Sequence, residues 1–351
     1  MYGIYLRGDC SLMERRLGRW DNAKWFLICC VVFGHVANPF RSGNPVTAAV
    51  QFWVYLFHMP AFIFIAGMFS KRTVNERRWP RAFSYVLLYL LMKVLKFLAD
   101  VYVKGSAKAE LDLIKVITAP WFALAMCWFL LITMLVRNVR MRYVLSASLI
   151  LAVAFGYTRF PGTFLAVTRT IVFYPFFYLG YKADLERMER FLDKRRVRFL
   201  GQMILLGSLA YVLADFDRVK RFRKLFRGRY TYRQISKSMW MMGGGLRIAA
   251  YAVSALLVFA VLAAMPRRRG IFAKLGERTM SVFALHYSLM TLLIEGVPGC
   301  REWAGGGLTF LKCMLLSVVI LAVTSLPVFE RMIRALMDLP ERAVRGFRKR
   351  M

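Results

Sequence analysis

Long apolar runs alternate with short basic loops along the whole chain. The runs are about 15 to 22 residues long, and about 20 apolar residues allow an α-helix to cross the hydrocarbon of a bilayer. This pattern predicts an all-α integral membrane protein with about ten transmembrane helices. The predicted spans lie near Trp25–Phe40, Val50–Phe69, Ala82–Val103, Val116–Val136, Tyr143–Tyr157, Thr170–Tyr181, Phe199–Ala214, Leu246–Met265, Met280–Glu295 and Leu308–Val328.

The arginines and lysines between the spans predict the orientation. If the N-terminus is cytoplasmic, the loops 70–81, 137–142, 182–198 and 267–278 and the tail all face the cytoplasm, as the positive-inside rule requires. We expect a basic cytoplasmic N-terminal segment (1–24), a polytopic membrane domain (25–328) and a basic cytoplasmic C-terminal tail (329–351). Small residues typical of a cleavage site do not follow the first apolar run, which favours a retained helix over a signal peptide. The bacterial plasma membrane is the expected location.

One basic loop does not fit this orientation. The stretch from Arg218 to Lys237 falls outside on the same count, although it is densely basic. Either the topology is wrong by one span in this half, or an external basic segment grips an anionic substrate. A solvated loop beside lipid phosphates explains the pattern equally well.

The composition agrees with a membrane protein and weakens other classes. Of the 351 residues 59% are hydrophobic, and mean hydropathy is +0.48. The net charge of +33 would suggest nucleic acid in a soluble chain, but here the loops and the anionic lipid surface account for it, so we expect membrane lipid and no nucleic acid as partner. The six cysteines have no metal-ligand spacing, and we expect no metal.

The chain has only three histidines, His35, His58 and His286, and all lie in apolar stretches. Lys24 precedes His35 by eleven residues, which on a helix is roughly 16 Å and within about 20° of the same face. The hairpin geometry of the first two spans brings His58 to a similar depth. Ionisable residues inside a membrane usually mark function, although a single histidine can simply hydrogen-bond between helices.

One stripe of the first helix therefore carries a cation at its cytoplasmic boundary and an imidazole near its middle. A ligand with an anionic head and a reactive end on a long thin arm fits this stripe, and acyl-coenzyme A has that shape. Lys24 could instead be an interfacial residue that pairs with Asp21. Pro60 predicts a kink that frees carbonyls near His58.

Several motifs resemble one family. "RWDNAKWFLICCVVFGH" is similar to the first helix of acyltransferase family 3, in which a basic residue, ten residues and a histidine follow one another, as Lys24 and His35 do. "FHMPAFIFIAGMFSKR" resembles the second-helix motif of its sugar O-acetyltransferase branch, whose fucose 4-O-acetylase-like members are the nearest. "APWFALAMCWFLLITML", "RGRYTYRQIS" and "LGERTMSVFALHYSLM" resemble later motifs in the same order.

The resemblance implies an enzyme that moves an acyl group, usually acetyl, from cytoplasmic coenzyme A to a hydroxyl of a cell-surface polysaccharide or lipid-linked sugar. His35 is the expected catalytic residue, because a buried neutral imidazole can deprotonate the hydroxyl or can itself carry the acyl group for an instant. His58 is expected as an orienting or substrate-binding partner. His286 and Asn38 are candidates for substrate binding. The coenzyme A phosphates are expected to meet Lys24, Arg72, Arg77, Arg78 and Arg81.

Two other classes remain open at this point. A transporter could use the histidines as a proton or metal relay, and it should then carry buried carboxylates beside them. A non-catalytic component of a glycan assembly complex would keep its function in His35→Ala. The external basic loop leads to one further hypothesis, namely an anionic acceptor such as a phosphate-bearing glycan carrier.

Overall fold

The computed structural model describes residues 9–348, with side chains from 18 to 346. The first eight residues of the predicted N-terminal segment and the last three of the predicted tail lie outside this part, and the division into three segments stays a prediction. The described residues form α-helices, four short 3-10 turns and no strand. In chain order the helices are α1 (Asp9–Val36), α2 (Pro45–Tyr55), α3 (His58–Phe69), α4 (Lys71–Asn75), α5 (Trp79–Lys104), α6 (Trp121–Val136), α7 (Met141–Ala154), α8 (Val167–Lys182), α9 (Leu185–Leu192), α10 (Arg195–Ala214), α11 (Phe216–Val219), α12 (Arg223–Phe226), α13 (Tyr232–Ile235), α14 (Gly243–Ala264), α15 (Ile271–Gly276), α16 (Thr279–Gly296), α17 (Cys300–Gly305), α18 (Thr309–Thr324) and α19 (Pro327–Arg348).

The all-α prediction is confirmed, and every predicted span overlaps a helix. By length and composition, three segments of the described chain are able to cross a membrane, Pro45–Phe69, Arg195–Ala214 and Trp240–Ala264. Thr309–Thr324 and Pro327–Gly346, bent by 62°, would together make a fourth. The number of about ten crossings and the cytoplasmic position of both termini therefore stay predictions.

Helix α1 runs through the centre of the bundle and packs against α2, α3, α14, α15, α16 and α18. It begins well before the predicted first span and ends at Val36, where four residues of that span form turns instead. The residue before Pro39 is disfavoured in helical conformation, which ends the helix here. We call the two ends of the bundle around this helix the Lys24 end and the His35 end.

A buried arginine fixes α1 at the Lys24 end. The Arg19 guanidinium is inaccessible to solvent, and it forms ion pairs of 3.3 Å with both Glu189 and Asp193. It also donates to the backbone carbonyls of Leu262 and Met265, both at 3.3 Å. A buried charge needs such full pairing, so this network ties α1 to α9 and to the end of α14.

Helices α3 and α8 cross with their backbones in contact. A methyl group at Gly67 would lie 2.1 Å from the carbonyl oxygen of Phe177, and one at Gly180 would lie 2.0 Å from that of Phe64. Only glycine allows this approach, because any side chain would overlap the opposing backbone. The crossing holds α3, which begins at His58, firmly against the rest of the bundle.

The predicted second span is interrupted at residues 56–57, directly before His58. At the interruption the carbonyl of Val54 accepts from the His58 ring, and that of Leu56 accepts from the Ser254 hydroxyl. Pro60, in the first turn of α3, is the expected cause, as it cannot donate a helical hydrogen bond.

Candidate active site

Two of the three histidines are in direct contact at the His35 end. The rings of His35 and His286 have centroids 5.3 Å apart, and the ring of Tyr287 meets His35 edge-on at the same separation. His35 is also close enough to His58 to interact with it electrostatically. Tyr55 lies between α1 and His58, because its ring contacts His58 at 4.8 Å and lies 3.1 Å from a methyl position at Gly34. The structure therefore brings the three predicted histidines to one region.

Hydrogen bonds define which ring nitrogens carry protons. His58 Nδ1 lies 2.7 Å from the carbonyl of Val54, and His286 Nδ1 lies 2.9 Å from that of Phe283. Carbonyl oxygens only accept, so Nδ1 is the donor in both rings and Nε2 keeps its lone pair. His286 Nε2 is buried and has no partner among the described residues. In its neutral form, the His286 ring therefore has a free lone pair in the neighbourhood of His35.

Polar groups surround Asn38, one turn beyond His35. Its amide oxygen accepts from Arg227 at 3.2 Å and from Arg41, and Gln51 Nε2 lies 3.5 Å away. Gln51 also donates to the carbonyl of Gly34 at 2.8 Å, which attaches α2 to α1 beside the histidine. Arg227 comes from the basic stretch 218–237, so this stretch folds back over the end of α1.

A cavity opens at the Lys24 end and follows α1 toward His35. It encloses about 640 Å³, within the range of small-molecule sites, and α1 lines it with Lys24, Ile28 and Val31. These residues and His35 are spaced by four, three and four positions, so they form one stripe of the helix. The cavity ends at aromatic side chains that include Phe122 and Phe283, and the ring of Phe283 lies 6.2 Å from that of His286.

The cavity mouth is lined by cations that already have acidic neighbours. Arg78 pairs with Glu341 at 2.5 Å, and Arg81 pairs with Asp338 at 3.2 Å. Both acids belong to the terminal helix α19, which packs against α5 and lies across the mouth. Lys24 pairs with Asp21 at 2.7 Å, as the sequence suggested.

Most of the predicted phosphate-binding residues meet in this one cavity. Lys24, Arg72, Arg78 and Arg81 all line it. Arg77 does not line it, because its backbone is left-handed with φ of 49° and its side chain is exposed. The roles of all these residues stay predictions.

Sequence reasoning missed several residues that surround the histidines. Tyr55, Gln51, Tyr287, Arg169 and Arg227 were not singled out, although Gln51 is a polar residue inside a predicted span. Arg169 stacks on the ring of Trp121 at 4.9 Å and donates to the carbonyl of Ile117 at 3.0 Å. A polar or charged residue within or beside an apolar run was the available signal.

The described residues do not favour a proton or metal relay through the histidines. Their buried carboxylates are Asp21, Asp100 and Glu189, and each is paired with a lysine or an arginine. No group of three or more His, Cys, Asp and Glu side chains within the described chain could hold a metal ion. The transporter interpretation is therefore not supported by the surroundings of the histidines.

The helical bundle thus combines a cavity lined by lysine and arginine side chains with three histidines that come together from α1, α3 and α16. The family model of the acyltransferase family 3 domain matches residues 17–326, and the chain belongs to this acyltransferase family. A relative is the nodulation protein NolL of Sinorhizobium fredii (strain NBRC 101917 / NGR234), which is 28% identical over an alignment of 195 residues that covers 50% of this chain and 51% of NolL. The chain thus spans about half the length of the curated relative it matches. No solved structure matches it.

Proposed function

We propose that this protein is a membrane O-acyltransferase that moves an acyl group, acetyl in the simplest case, from acyl-coenzyme A to a hydroxyl of a glycan or lipid-linked sugar of the cell envelope. The observation that carries the proposal is the stripe of α1 on which Lys24, Ile28 and Val31 line a cation-rimmed cavity. The stripe continues to His35, roughly 16 Å from Lys24. Family membership supports the acyltransferase class.

The donor fits the cavity from the Lys24 end. Arginines recognise phosphates through paired, charge-assisted hydrogen bonds, and Arg72, Arg78 and Arg81 surround the mouth. The pantetheine arm would follow the apolar stripe of α1. Phe122 and Phe283 close the inner end with rings 5.2 Å apart, so one of them must turn for the thioester to reach His35.

The transfer then needs a base at the hydroxyl. The hydroxyl oxygen attacks the thioester carbonyl carbon while His35 takes its proton. The carbon–sulfur bond breaks, and the leaving thiolate takes the proton back, which yields the sugar ester and free coenzyme A. His286 and His58 orient His35: His286 Nε2 is free to accept an N–H bond from the His35 ring, which leaves the other His35 nitrogen as the base.

The test uses membranes that contain the full chain, radiolabelled acetyl-coenzyme A and the glycolipid fraction of the host. Base-labile label in glycan is expected with the wild type and not with His35→Ala. Arg268→Gln, a change in a loop away from the histidines, is the matched control and should transfer label normally. Label that appears equally with His35→Ala overturns the assigned chemistry, and coenzyme A that fails to bind the wild type overturns the donor.

A further inference from the structure

The basic stretch 218–237 contains two kinds of cation. Arg218 pairs with Asp215 at 2.9 Å and Lys220 pairs with Asp217 at 2.5 Å, so acids just before the stretch neutralise two of its cations. Arg223, Arg227 and Arg229 have no carboxylate partner among the described side chains. We call these three arginines and Arg41 the arginine cluster.

The hydrogen bonds donated by the arginine cluster go to neutral groups. Arg41 and Arg227 donate to the same amide oxygen of Asn38, and the Nε of Arg227 is buried with no hydrogen-bond partner in the described part of the chain. Arg229 donates to the Tyr230 hydroxyl at 2.6 Å. Several guanidinium groups that share a few neutral acceptors repel one another, and an anionic oxygen would satisfy them better.

The electrostatics agree with this geometry. Burial lowers the pKa of Arg41 and of Arg223, and the charge of Arg227 lowers both further. Burial alone would raise the pKa of Tyr230, but the hydrogen bond and charge of Arg229, with those of Arg227, lower it instead. A phenol pushed toward its anion indicates local positive charge in excess of what the protein neutralises.

The segment that carries these arginines is rigidly built. Arg247, a buried residue of α14, donates to the carbonyl of Leu225 at 2.7 Å, and Tyr232 donates to that of Val153 at 2.9 Å. Gly228 has φ of +67°, and a methyl group there would lie 2.6 Å from the ring of Phe173. Such packing does not fit a freely solvated loop, and it holds Arg227 and Arg229 in place.

The cluster adjoins the histidines. Asn38 donates its backbone N–H to the carbonyl of His35 at 3.2 Å, and Arg227 stacks on the ring of Tyr55 at 5.3 Å. Tyr55 in turn contacts His58. An anion held by Arg41 and Arg227 would therefore lie beside the proposed base, at the opposite end of α1 from the donor cavity.

An apolar groove begins on the same short helices. It encloses about 530 Å³ between α2, α10 and α14, and the segment around α12 contributes Phe222, Leu225 and Phe226 to it. Arg223 and Arg227 flank these residues in sequence. A phosphate beside an apolar groove is the arrangement that an amphipathic, lipid-linked phosphate requires.

We propose that the acceptor is a lipid-linked sugar phosphate, whose phosphate binds the arginine cluster and whose lipid chain lies in the apolar groove. The inference rests on the proposed transferase function and names the class of its acceptor. The shared chemistry is a phosphate ester on an apolar chain, which an ordinary phospholipid of the bilayer also has. The test must therefore distinguish a lipid-linked sugar phosphate from a bilayer phospholipid as the bound ligand.

The first measurement is binding by the full chain in dodecyl maltoside micelles, which contain no phosphate. The probes are glucose 1-phosphate carrying a decyl ester and the neutral decyl glucoside, with glucose standing in for the sugar. The phosphodiester should bind at least about tenfold more tightly, because charge-assisted hydrogen bonds form only with it. Equal binding of the two probes overturns the proposal.

Substitutions of paired and unpaired cations test whether the phosphodiester binds at the arginine cluster. Arg41→Gln combined with Arg227→Gln should remove the preference for the phosphodiester. Arg218→Gln combined with Lys220→Gln removes the same charge from cations that already have acidic partners, and it should keep the preference. Equal loss in both variants would mean that general surface charge, not the cluster, attracts the probe. Thermal unfolding of each variant checks that it is folded, and Arg227→Lys, which keeps the charge and loses the forked donors, replaces the double variant if that one is not.

The groove has its own variant. Gly207 of α10 lines it, and a methyl group there meets nothing within 4 Å, so Gly207→Trp fills the groove without touching a charge. It should weaken binding of the decyl phosphodiester about tenfold and leave an ethyl phosphodiester unchanged. An equal effect on both chain lengths removes the groove from the site.

Dioleoyl phosphatidylglycerol added to the micelles distinguishes the sources. If it displaces the decyl phosphodiester at equal concentration and loses affinity in the arginine variant, the cluster belongs to bilayer phospholipid and the acceptor assignment fails. No coenzyme A is present in these measurements, so they can succeed even if no acyl transfer is found. Conversely, His35→Ala should bind the phosphodiester normally, which separates failure of this site from failure of the transfer chemistry.

Discussion

Basic residues surround helix α1 at the Lys24 end and at the His35 end, and the two groups differ in what neutralises them. At the Lys24 end, Arg78 and Arg81 pair with carboxylates of the terminal helix α19. At the His35 end, Arg41 and Arg227 share the oxygen of neutral Asn38. The arginines at the Lys24 end are thus neutralised by carboxylates of the protein itself. Those at the His35 end keep their positive charge available for a ligand.

The physical consequences differ as well. Partly exposed ion pairs contribute about 0 to 1 kcal/mol each, so a phosphate can replace a carboxylate at the Lys24 end at small cost. Partly buried cations without counter-ions destabilise the protein until an anion binds. We therefore expect the first site to exchange its ligand readily and the second to hold an anion more tightly. In the proposed reaction, this difference suits a donor that leaves after each turnover and an acceptor that must be held for attack.

The largest expected effect comes from the residue between the two sites. His35→Gln should lower kcat about 10²-fold to 10⁴-fold, because general base catalysis contributes that much, while the Kd for coenzyme A stays within about twofold. Kinetics with labelled acetyl-coenzyme A and titration with coenzyme A measure the two quantities. If kcat and the affinity for coenzyme A fall in parallel, His35 takes part in donor binding, and the two ends do not have separate roles.

The features that depend on residues close together in the chain could be predicted from the sequence. Apolar runs bounded by basic loops located the helices, and the 3.6-residue period placed Lys24 and His35 on one face. Four of the five predicted phosphate-binding residues meet in one cavity because they lie on neighbouring segments or on the same stripe. Arg77 does not line the cavity, because its own left-handed backbone conformation turns its side chain outward.

The long-range parts could not be predicted. His35 touches His286 across about 250 residues of chain, and Arg227 reaches Asn38 from a stretch whose side of the bundle was undecided. The stretch lies at the His35 end, the same end as the turn after α1, which agrees with the predicted order of spans. Glu341 and Asp338 belong to a tail that its sequence marks only as basic, and their position over the cavity depends on the 62° bend after α18.

The next largest effect tests the Lys24 end. Arg78→Gln combined with Arg81→Gln should raise the Kd for coenzyme A about tenfold, because two forked phosphate contacts are lost. The measurement is calorimetric titration of the purified full chain. Arg77→Gln, which removes an exposed arginine outside the cavity, is the matched control and should stay within about twofold. Equal weakening by the control would show that the loop attracts coenzyme A only through its summed charge.

The smallest effect has the opposite sign and distinguishes the two ends most directly. Glu341 holds Arg78 in the unliganded protein, so Glu341→Gln should release that guanidinium for a phosphate and lower the Kd for coenzyme A about threefold. No corresponding substitution exists at the arginine cluster, because no described acid is paired with it. The effect should fade at high salt, where the ion pair is already screened.

Glu302→Gln is the control for this change, since it removes one negative charge from an exposed position on α17, away from the cavity. Its Kd for coenzyme A should equal that of the wild type. If Glu341→Gln instead weakens binding, α19 helps to build the phosphate site rather than to cover it, because the ion pair then orients Arg78 for the ligand. In that case both ends of α1 would be preformed, and the difference between them would lie in ligand chemistry alone.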